Sequence, residues 1–199
     1  MHFRIAAPAC HGLLAAALLF ASGSALAADP YVIDPNHTQV EYTYTHFGFS
    51  HITGHLNGIE GDFLFDAQDP TQSHILINIP VNTISVGVPA LDDELHSEMF
   101  FDVAKYPLAT FQSTAVTRTD KDHLAVAGDL TIHGVTKPVT FAVTINKIGT
   151  HPMRGVPAVG VDAAVTVKRS EFGLGKYVPG VSDDVAIHAT MEAYAPKAK

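Results

Sequence analysis

Residues 124–145 read LAVAGDLTIHGVTKPVTFAVTI, and this stretch decides the fold class. Apolar residues occupy alternate positions on both sides of His133-Gly134. They are Leu124, Val126, Leu130 and Ile132 before it, and Val139, Phe141, Val143 and Ile145 after it. This alternation is typical of half-buried β-strands, and His133-Gly134 supplies the turn residues between them. The stretch predicts two antiparallel strands that share one apolar face.

The same period of two recurs along the rest of the chain. Residues 40–46, 75–79, 159–167 and 185–191 alternate in the same way, and turn-forming segments such as Asp69-Pro70 separate the strands. At least eight strands with short connections make a sandwich or a closed barrel. We therefore predict an all-β fold in a single domain over residues 28–199.

One segment departs from this period. Pro89 followed by acidic residues favours a short helix near residues 89–101, in which Leu91, Leu95 and Met99 would form one apolar stripe. We expect this helix to close one end of a barrel. The alternative is a catalytic role for its carboxylates, but adjacent carboxylates on a helix point apart.

Composition excludes several classes of protein. The 199 residues carry 12 Lys+Arg against 20 Asp+Glu, a net charge of −8, without any Lys/Arg cluster longer than Lys168-Arg169. We therefore expect no binding to nucleic acid. A hydrophobic fraction of 47% excludes disorder as a description of the whole chain.

The first 27 residues have the features of a signal peptide. Arg4 gives a cationic start, residues 12–20 are apolar, and Ala25-Leu26-Ala27 matches a cleavage site. We expect cleavage after Ala27 and secretion. The apolar run is too short to cross a membrane, so we do not expect an integral membrane protein. The single cysteine, Cys10, would be lost with the leader, which leaves a core that needs no disulfide.

No catalytic or metal-binding motif stands out. Residues 28–199 lack a cysteine and a Gly-x-Ser-x-Gly motif, so no nucleophile is evident and we do not expect an enzyme. His46, His51 and His55 are the only tempting metal ligands. Their segment reads as turn plus strand, where His51 and His55 would lie about 13 Å apart. We expect no metal.

The inward faces of the strands carry large apolar side chains. A barrel of about eight strands is wide enough either to be filled by such side chains or to hold one ligand. Alternation alone does not separate a packed core from a ligand tunnel, so both interpretations stay open at this point.

Four motifs in order resemble the YceI family of secreted lipid-binding proteins. They are residues 34–50, beginning Asp34-Pro35-x-His37; residues 100–111; residues 128–139, which are the most specific; and residues 169–192. The resemblance spans residues 30–194. It implies an extended antiparallel eight-stranded lipocalin-like β-barrel in the periplasm, often dimeric, that holds a polyisoprenoid or similar amphiphile in a hydrophobic tunnel and has no established catalysis.

Combined with the alternation, the resemblance predicts a set of tunnel-lining residues. They are Tyr42, Tyr44, Phe63, Phe65, Ile77, Phe111, Leu130, Phe141, Val143 and Val165, with His46 as a polar contact. The expected partner is a long-chain amphiphilic lipid, an isoprenoid or a quinone, with no other cofactor. The alternatives are a periplasmic structural or stress protein with a packed core, and a quinone-linked redox partner.

The chain departs from the family in one motif. Where the family usually reads Arg-Asp-x-His-Leu, this chain has Leu91-Asp92-Asp93-Glu94-Leu95, without the Arg and the His. If this segment forms the tunnel mouth, its acids and Glu98 would repel an anionic head group unless Lys168-Arg169 lies close. We therefore expect a neutral head group, such as a quinone or an amide, to bind better than a phosphate. The alternative is that these acids form a solvated face.

Overall fold

The computed structural model describes residues 28–197, which form a closed antiparallel β-barrel. The elements in chain order are β1 (Asp29–Ile33), β2 (Gln39–His46), β3 (Ser50–Leu56), β4 (Glu60–Phe65), β5 (His74–Pro80), α1 (Pro89–His96), β6 (Leu108–Arg118), β7 (His123–Ile132), β8 (Val135–Thr150), β9 (Pro157–Lys168) and β10 (Asp184–Tyr194). Short 3₁₀ turns cover Pro70–Gln72, Val81–Thr83 and Arg169–Phe172.

The ten strand segments form a barrel of eight strands, because two of these strands are interrupted. The hydrogen-bonded order is β1-β4-β5-β6-β7-β8-β9-β10-β2-β3, and β1 also pairs with β10. One edge of β10 therefore pairs first with β2 and further along with β1. Thus β1 and β2 are two parts of one interrupted strand, and β3 and β4 are two parts of the next. The prediction of an eight-stranded antiparallel barrel is confirmed.

The β7–β8 hairpin forms as its sequence predicts. Ile132 pairs with Val135, and the two turn residues between them, His133 and Gly134, have φ of 51° and 74°. A two-residue turn that matches the twist of the strands needs positive φ at both positions, which glycine adopts without strain.

A buried carboxylate joins the interruption between β1 and β2 to the β8–β9 hairpin. Asp34 is 1% exposed, and it accepts hydrogen bonds from the Asn36 N–H at 3.0 Å and from Arg154 Nη2 at 3.0 Å, with His37 Nδ1 at 3.2 Å. Burial opposes ionisation of Asp34, but the donors from Asn36, His37 and Arg154 outweigh it and hold the pKa below its usual range. The Asp34-Pro35-x-His37 motif therefore has a structural role at this end of the barrel.

Helix α1 lies across the opposite end and is shorter than the predicted segment. It begins at Pro89 and ends at His96, because Ser97 adopts an extended backbone and its hydroxyl donates to the Glu94 carbonyl at 2.6 Å. Met99 therefore lies outside the helix and is 48% exposed. The predicted stripe Leu91-Leu95-Met99 is wrong at its third position. No helix among residues 28–197 is both long and apolar enough to cross a membrane.

Candidate functional site: the barrel cavity

The inward-facing side chains enclose a cavity of about 540 Å³. Most of its wall is apolar and comes from the strands, with α1, the 97–101 segment and the 169–181 segment at one end. Ten of the eleven residues predicted to line a tunnel do line this cavity: Tyr42, Tyr44, His46, Phe63, Phe65, Ile77, Phe111, Leu130, Phe141 and Val143.

Val165 is the exception. Its side chain packs against the core cluster that contains Phe141 and Val143, and it stands opposite Ile187 in the β9–β10 pairing, but it does not reach the cavity wall. The inward face of the strand was predicted correctly, and Ala163 and Val167 on either side of Val165 do line the cavity. Alternation gives the face of a strand and says nothing about where neighbouring side chains leave space.

The interior is not a packed core. Protein interiors contain few voids larger than a water molecule, and an apolar void of roughly 150 Å³ already binds small organic molecules. A cavity of about 540 Å³ lies within the size range of ligand pockets, about 300–1,000 Å³. The packed-core alternative predicts an interior filled by side chains, which this barrel does not have.

Tyr42 places an unpartnered hydroxyl in the cavity wall. The residue is 8% exposed, and its hydroxyl has no hydrogen-bond partner. The ring crosses over Gly54, its neighbour on β3, where a Cβ atom would stand 2.3 Å from the ring carbon that carries the hydroxyl. Burial raises the pKa of Tyr42, with Tyr44 and Asp92 adding to the effect, so the group remains a neutral donor. It lacks an acceptor that a bound molecule would supply.

Tyr44 stands between two charges that also face the cavity. Its ring lies nearly parallel to that of Tyr42, with 6.4 Å between the ring centres. Burial raises the pKa of Tyr44, Arg169 opposes this effect and Glu94 adds to it. Arg169 and Glu94 both line the cavity, so one positive and one negative group lie at this end.

Arg169 also holds the segment that follows it. Its guanidinium donates to the carbonyl oxygens of Ser182 at 2.8 Å, Val181 at 3.0 Å and Leu174. Burial lowers the pKa of Arg169, against the opposing effect of the nearby Asp183. The guanidinium has five N–H donors, of which three make these hydrogen bonds, and Arg169 lines the cavity.

The four acids of the α1 segment do not act together. Asp92 accepts hydrogen bonds from the Ser85 hydroxyl and the Val86 N–H, both at 2.7 Å. Asp93 and Glu98 are exposed and do not line the cavity, whereas Glu94 does. Of the four acids only Glu94 faces the cavity, and the fold brings Arg169 to the same end, which was the condition that would offset repulsion of an anionic head group. The preference for a neutral head group stays a prediction. Two of the four acids, Asp93 and Glu98, are solvated as the alternative held.

The histidines of the β2–β3 hairpin are separated by strand geometry. His51 and His55 are exposed residues of β3, opposite Thr45 and Glu41, while His46 ends β2 and lines the cavity. His46 packs edge-to-face against Phe47, with 4.7 Å between ring centres. Within the described part of the chain, no three His, Cys, Asp or Glu side chains are grouped to hold a metal ion.

Sequence reasoning missed several cavity residues. Arg169, Glu94, Phe47 and Tyr177 all lie in loops, turns or the helix, where the period of two gives no guide. The adjacent basic residues Lys168-Arg169 were the one available signal. Only Arg169 faces the cavity, because Lys168 pairs with Asp184 at 2.8 Å on an exposed part of the surface.

Fold and cavity together define a closed β-barrel with an apolar internal site. The YceI-like domain model matches residues 31–193, and the chain belongs to this family. Protein YceI of Escherichia coli O157:H7 is 35% identical over 188 residues, covering 94% of this chain and 97% of that protein.

Solved structures share the fold. BcnA of Burkholderia cenocepacia superposes with a TM-score of 0.73 at 25% identity, covering 80% of this chain and 98% of BcnA. A polyisoprenoid binding domain from Saccharophagus degradans, described as implicated in plant cell wall breakdown, superposes with a TM-score of 0.65 at 14% identity. The superposition covers 83% of this chain and 98% of that domain. At this identity the second comparison supports the fold alone.

Proposed function

We propose that this protein binds a long-chain amphiphile, an isoprenoid or a quinone lipid, inside the barrel. The apolar cavity of about 540 Å³ carries this proposal. The family membership supports it, and the fold is shared with a domain from Saccharophagus degradans that is described as polyisoprenoid-binding.

The distribution of polar groups supports an orientation for this ligand. The tail would occupy the part of the cavity lined by Phe63, Phe111 and Phe141, where burial of apolar surface drives binding. The head group would lie near Tyr42, Tyr44 and Arg169, which offer donors to an acceptor oxygen. Both a quinone carbonyl and a phosphate oxygen have this acceptor chemistry.

Binding, rather than catalysis, is the activity that these groups serve in this proposal. The cavity wall places Arg169 and Glu94 near Tyr44, but none of them is paired as a nucleophile with its base. Under this proposal the protein stores, carries or sequesters its ligand.

We also propose that the protein acts in the periplasm after removal of residues 1–27. This part of the proposal rests on the cationic start, the apolar run and the Ala25-Leu26-Ala27 site, which all lie outside the described residues. The intact mass of the secreted protein should correspond to a chain that begins at Ala28, and a retained leader would contradict it.

Mass spectrometry of a mild organic extract tests the main proposal. Protein purified without detergent should release a long-chain amphiphile in a constant ratio to protein, and the delipidated protein should rebind that molecule. An unrelated secreted protein from the same preparation is the control. If the extract holds no amphiphile and the delipidated protein binds neither a long-chain quinone nor an isoprenyl phosphate, the proposal is wrong.

A further inference from the structure

Exposed apolar side chains gather at one end of the cavity. Among the large apolar residues that line it, three are markedly exposed: Phe47 at 54%, Tyr177 at 50% and Leu91 at 38%. They come from the β2–β3 hairpin, the loop before β10, and α1. All three elements lie at the same end, so the cavity reaches the surface there.

Further exposed apolar residues extend this end outward. Phe49, at the tip of the β2–β3 hairpin, is 92% exposed, and Val178 and Met99 are exposed as well. The Tyr177 hydroxyl lies 4.0 Å from Met99 Sδ, and the Phe47 N–H donates to the Gly180 carbonyl at 2.7 Å. These contacts join the hairpin tip, the 175–181 loop and the 97–101 segment into one surface, which we call the apolar rim.

The charge of the rim differs from that of the rest of the chain. Residues 42–59 contain no Asp, Glu, Lys or Arg, and residues 172–182 contain Lys176 alone. In the 97–101 segment the only charged residue is Glu98. The whole chain has a net charge of −8, so the two main rim segments form a neutral to weakly basic area on an acidic protein. The Lys176 ammonium stands 5.3 Å from the centre of the Tyr177 ring.

A lipid bilayer matches this combination of features. Aromatic side chains with a polar end favour the membrane interface, and a lysine beside them keeps its stem in the apolar layer and its ammonium near lipid phosphates. Large exposed apolar patches on soluble domains mark interaction sites. The rim is continuous with a cavity of the kind that holds a lipid chain, so a chain could pass from bilayer to cavity without crossing water.

We infer that the apolar rim docks on a bilayer surface, with the side chain of Phe49 inserted, so that the amphiphile transfers between bilayer and cavity. This inference rests on the proposed function. It assigns to the hairpin tip a role in exchange, whereas the cavity itself sets affinity for the ligand.

Vesicle sedimentation with Phe49→Ser tests the docking surface. Delipidated protein should co-sediment with vesicles of phosphatidylethanolamine and phosphatidylcholine, and Phe49→Ser should weaken this binding by about tenfold, which corresponds to loss of one buried phenyl group. Met153→Ser is the matched control. Met153 is equally exposed, at 91%, but lies on the β8–β9 hairpin at the other end of the barrel, so its loss should leave vesicle binding unchanged.

Two further measurements separate this inference from the proposed function. Affinity for a long-chain quinone delivered in detergent should be the same in wild type, Phe49→Ser and Met153→Ser, while transfer of the quinone from vesicles should slow only in Phe49→Ser. If none of the three proteins binds either the quinone or an isoprenyl phosphate, the proposed function is wrong. The docking inference is wrong if the proteins bind the quinone but all three bind vesicles equally. It is also wrong if they bind the quinone and none of them binds vesicles.

The alternative to a bilayer is that a second copy of the chain covers the apolar rim. Sedimentation equilibrium should give the same mass for wild type and Phe49→Ser. A wild-type dimer that Phe49→Ser dissociates would show that the rim is a subunit interface and would overturn docking on a bilayer.

Discussion

At the residue scale, Tyr42 stands out because its buried hydroxyl makes no hydrogen bond within the described part of the chain. Its hydroxyl is buried without a partner, and a buried unsatisfied hydroxyl costs about 1–3 kcal/mol. Gly54 permits this arrangement, since any side chain at that position would collide with the ring. The barrel therefore keeps a donor ready in its wall at a cost in stability.

Removal of this hydroxyl should have opposite effects on stability and on binding. We predict that Tyr42→Phe raises the free energy of unfolding of the delipidated protein by about 1 kcal/mol, because the unsatisfied group is gone. The same change should weaken quinone binding about fivefold, because one hydrogen bond to the ligand is lost. Urea denaturation and ligand titration measure the two effects.

Tyr31→Phe provides the comparison for Tyr42→Phe. Tyr31 is 7% exposed in the same barrel but does not line the cavity. The ligand affinity of Tyr31→Phe should therefore equal that of wild type. Unchanged affinity in Tyr42→Phe would show that this hydroxyl does not contact the ligand.

Glu94 is the acid that decides the response to an anionic head group. We predict that Glu94→Gln raises the affinity for an isoprenyl phosphate relative to a quinone by about fivefold at low ionic strength, because a negative charge that faces the cavity near Arg169 is removed. Competition binding measures this ratio. Asp93→Asn, which neutralises an exposed acid outside the cavity wall, should leave it unchanged, and an equal rise in both variants would indicate a general effect of net charge.

At the element scale, the attachment of α1 depends on one ionised carboxylate. Asp92 ties the start of the helix to the preceding segment through Ser85 and Val86. These two hydrogen bonds, with a smaller contribution from His96, hold the pKa of Asp92 below its ordinary value of 3.8. Asp92 therefore contributes stability above that ordinary value, and the contribution is lost as the pH falls through the lower pKa of the folded state.

The stability difference between wild type and Asp92→Asn should therefore shrink in acid. We predict that Asp92→Asn has a lower urea midpoint than wild type at about pH 5, and that the gap closes as the pH falls below the ordinary carboxyl value and through the lower pKa of folded Asp92. Asp93→Asn controls for the loss of charge, because Asp93 is exposed on the same helix. A gap that stays constant with pH would contradict the role of the ionised form.

At the scale of the whole molecule, the cavity decides how much stability is lost when a larger side chain is introduced into the barrel. Val143 lines the cavity, whereas Val159 is 1% exposed, packs with Tyr31 and Ile33, and does not itself line the cavity. We predict that Val143→Phe changes stability by less than about 1 kcal/mol but blocks the ligand, because the new ring fills space that the ligand would occupy.

Val159→Phe is the matched substitution for this prediction. Its ring has no space to enter, so the variant should lose about 1–3 kcal/mol of stability. Urea denaturation of the delipidated proteins and extraction of bound lipid measure both outcomes. If Val143→Phe loses as much stability as Val159→Phe, the cavity is not open to added volume in solution.

The sequence by itself determined the architecture of this protein. Alternation and turn residues led to antiparallel strands, and their number led to a sandwich or a closed barrel. The motifs led to the family, and the resemblance to the family implied the closed barrel. The inward faces were also readable, since ten predicted residues share the cavity wall. A period of two is a local property of the extended chain, so it survives in the sequence without knowledge of the neighbours.

Tertiary structure alone decided how the cavity ends and what lies there. Arg169 follows β9, Glu94 belongs to α1, and Phe47 and Tyr177 lie in two different loops, yet they meet at one end of the barrel. Val165 shows the same limit, because it packs against the core cluster but does not line the cavity. Empty space and the meeting of loops depend on barrel closure and on contacts between residues distant in the chain, and no local pattern of residues encodes either of them.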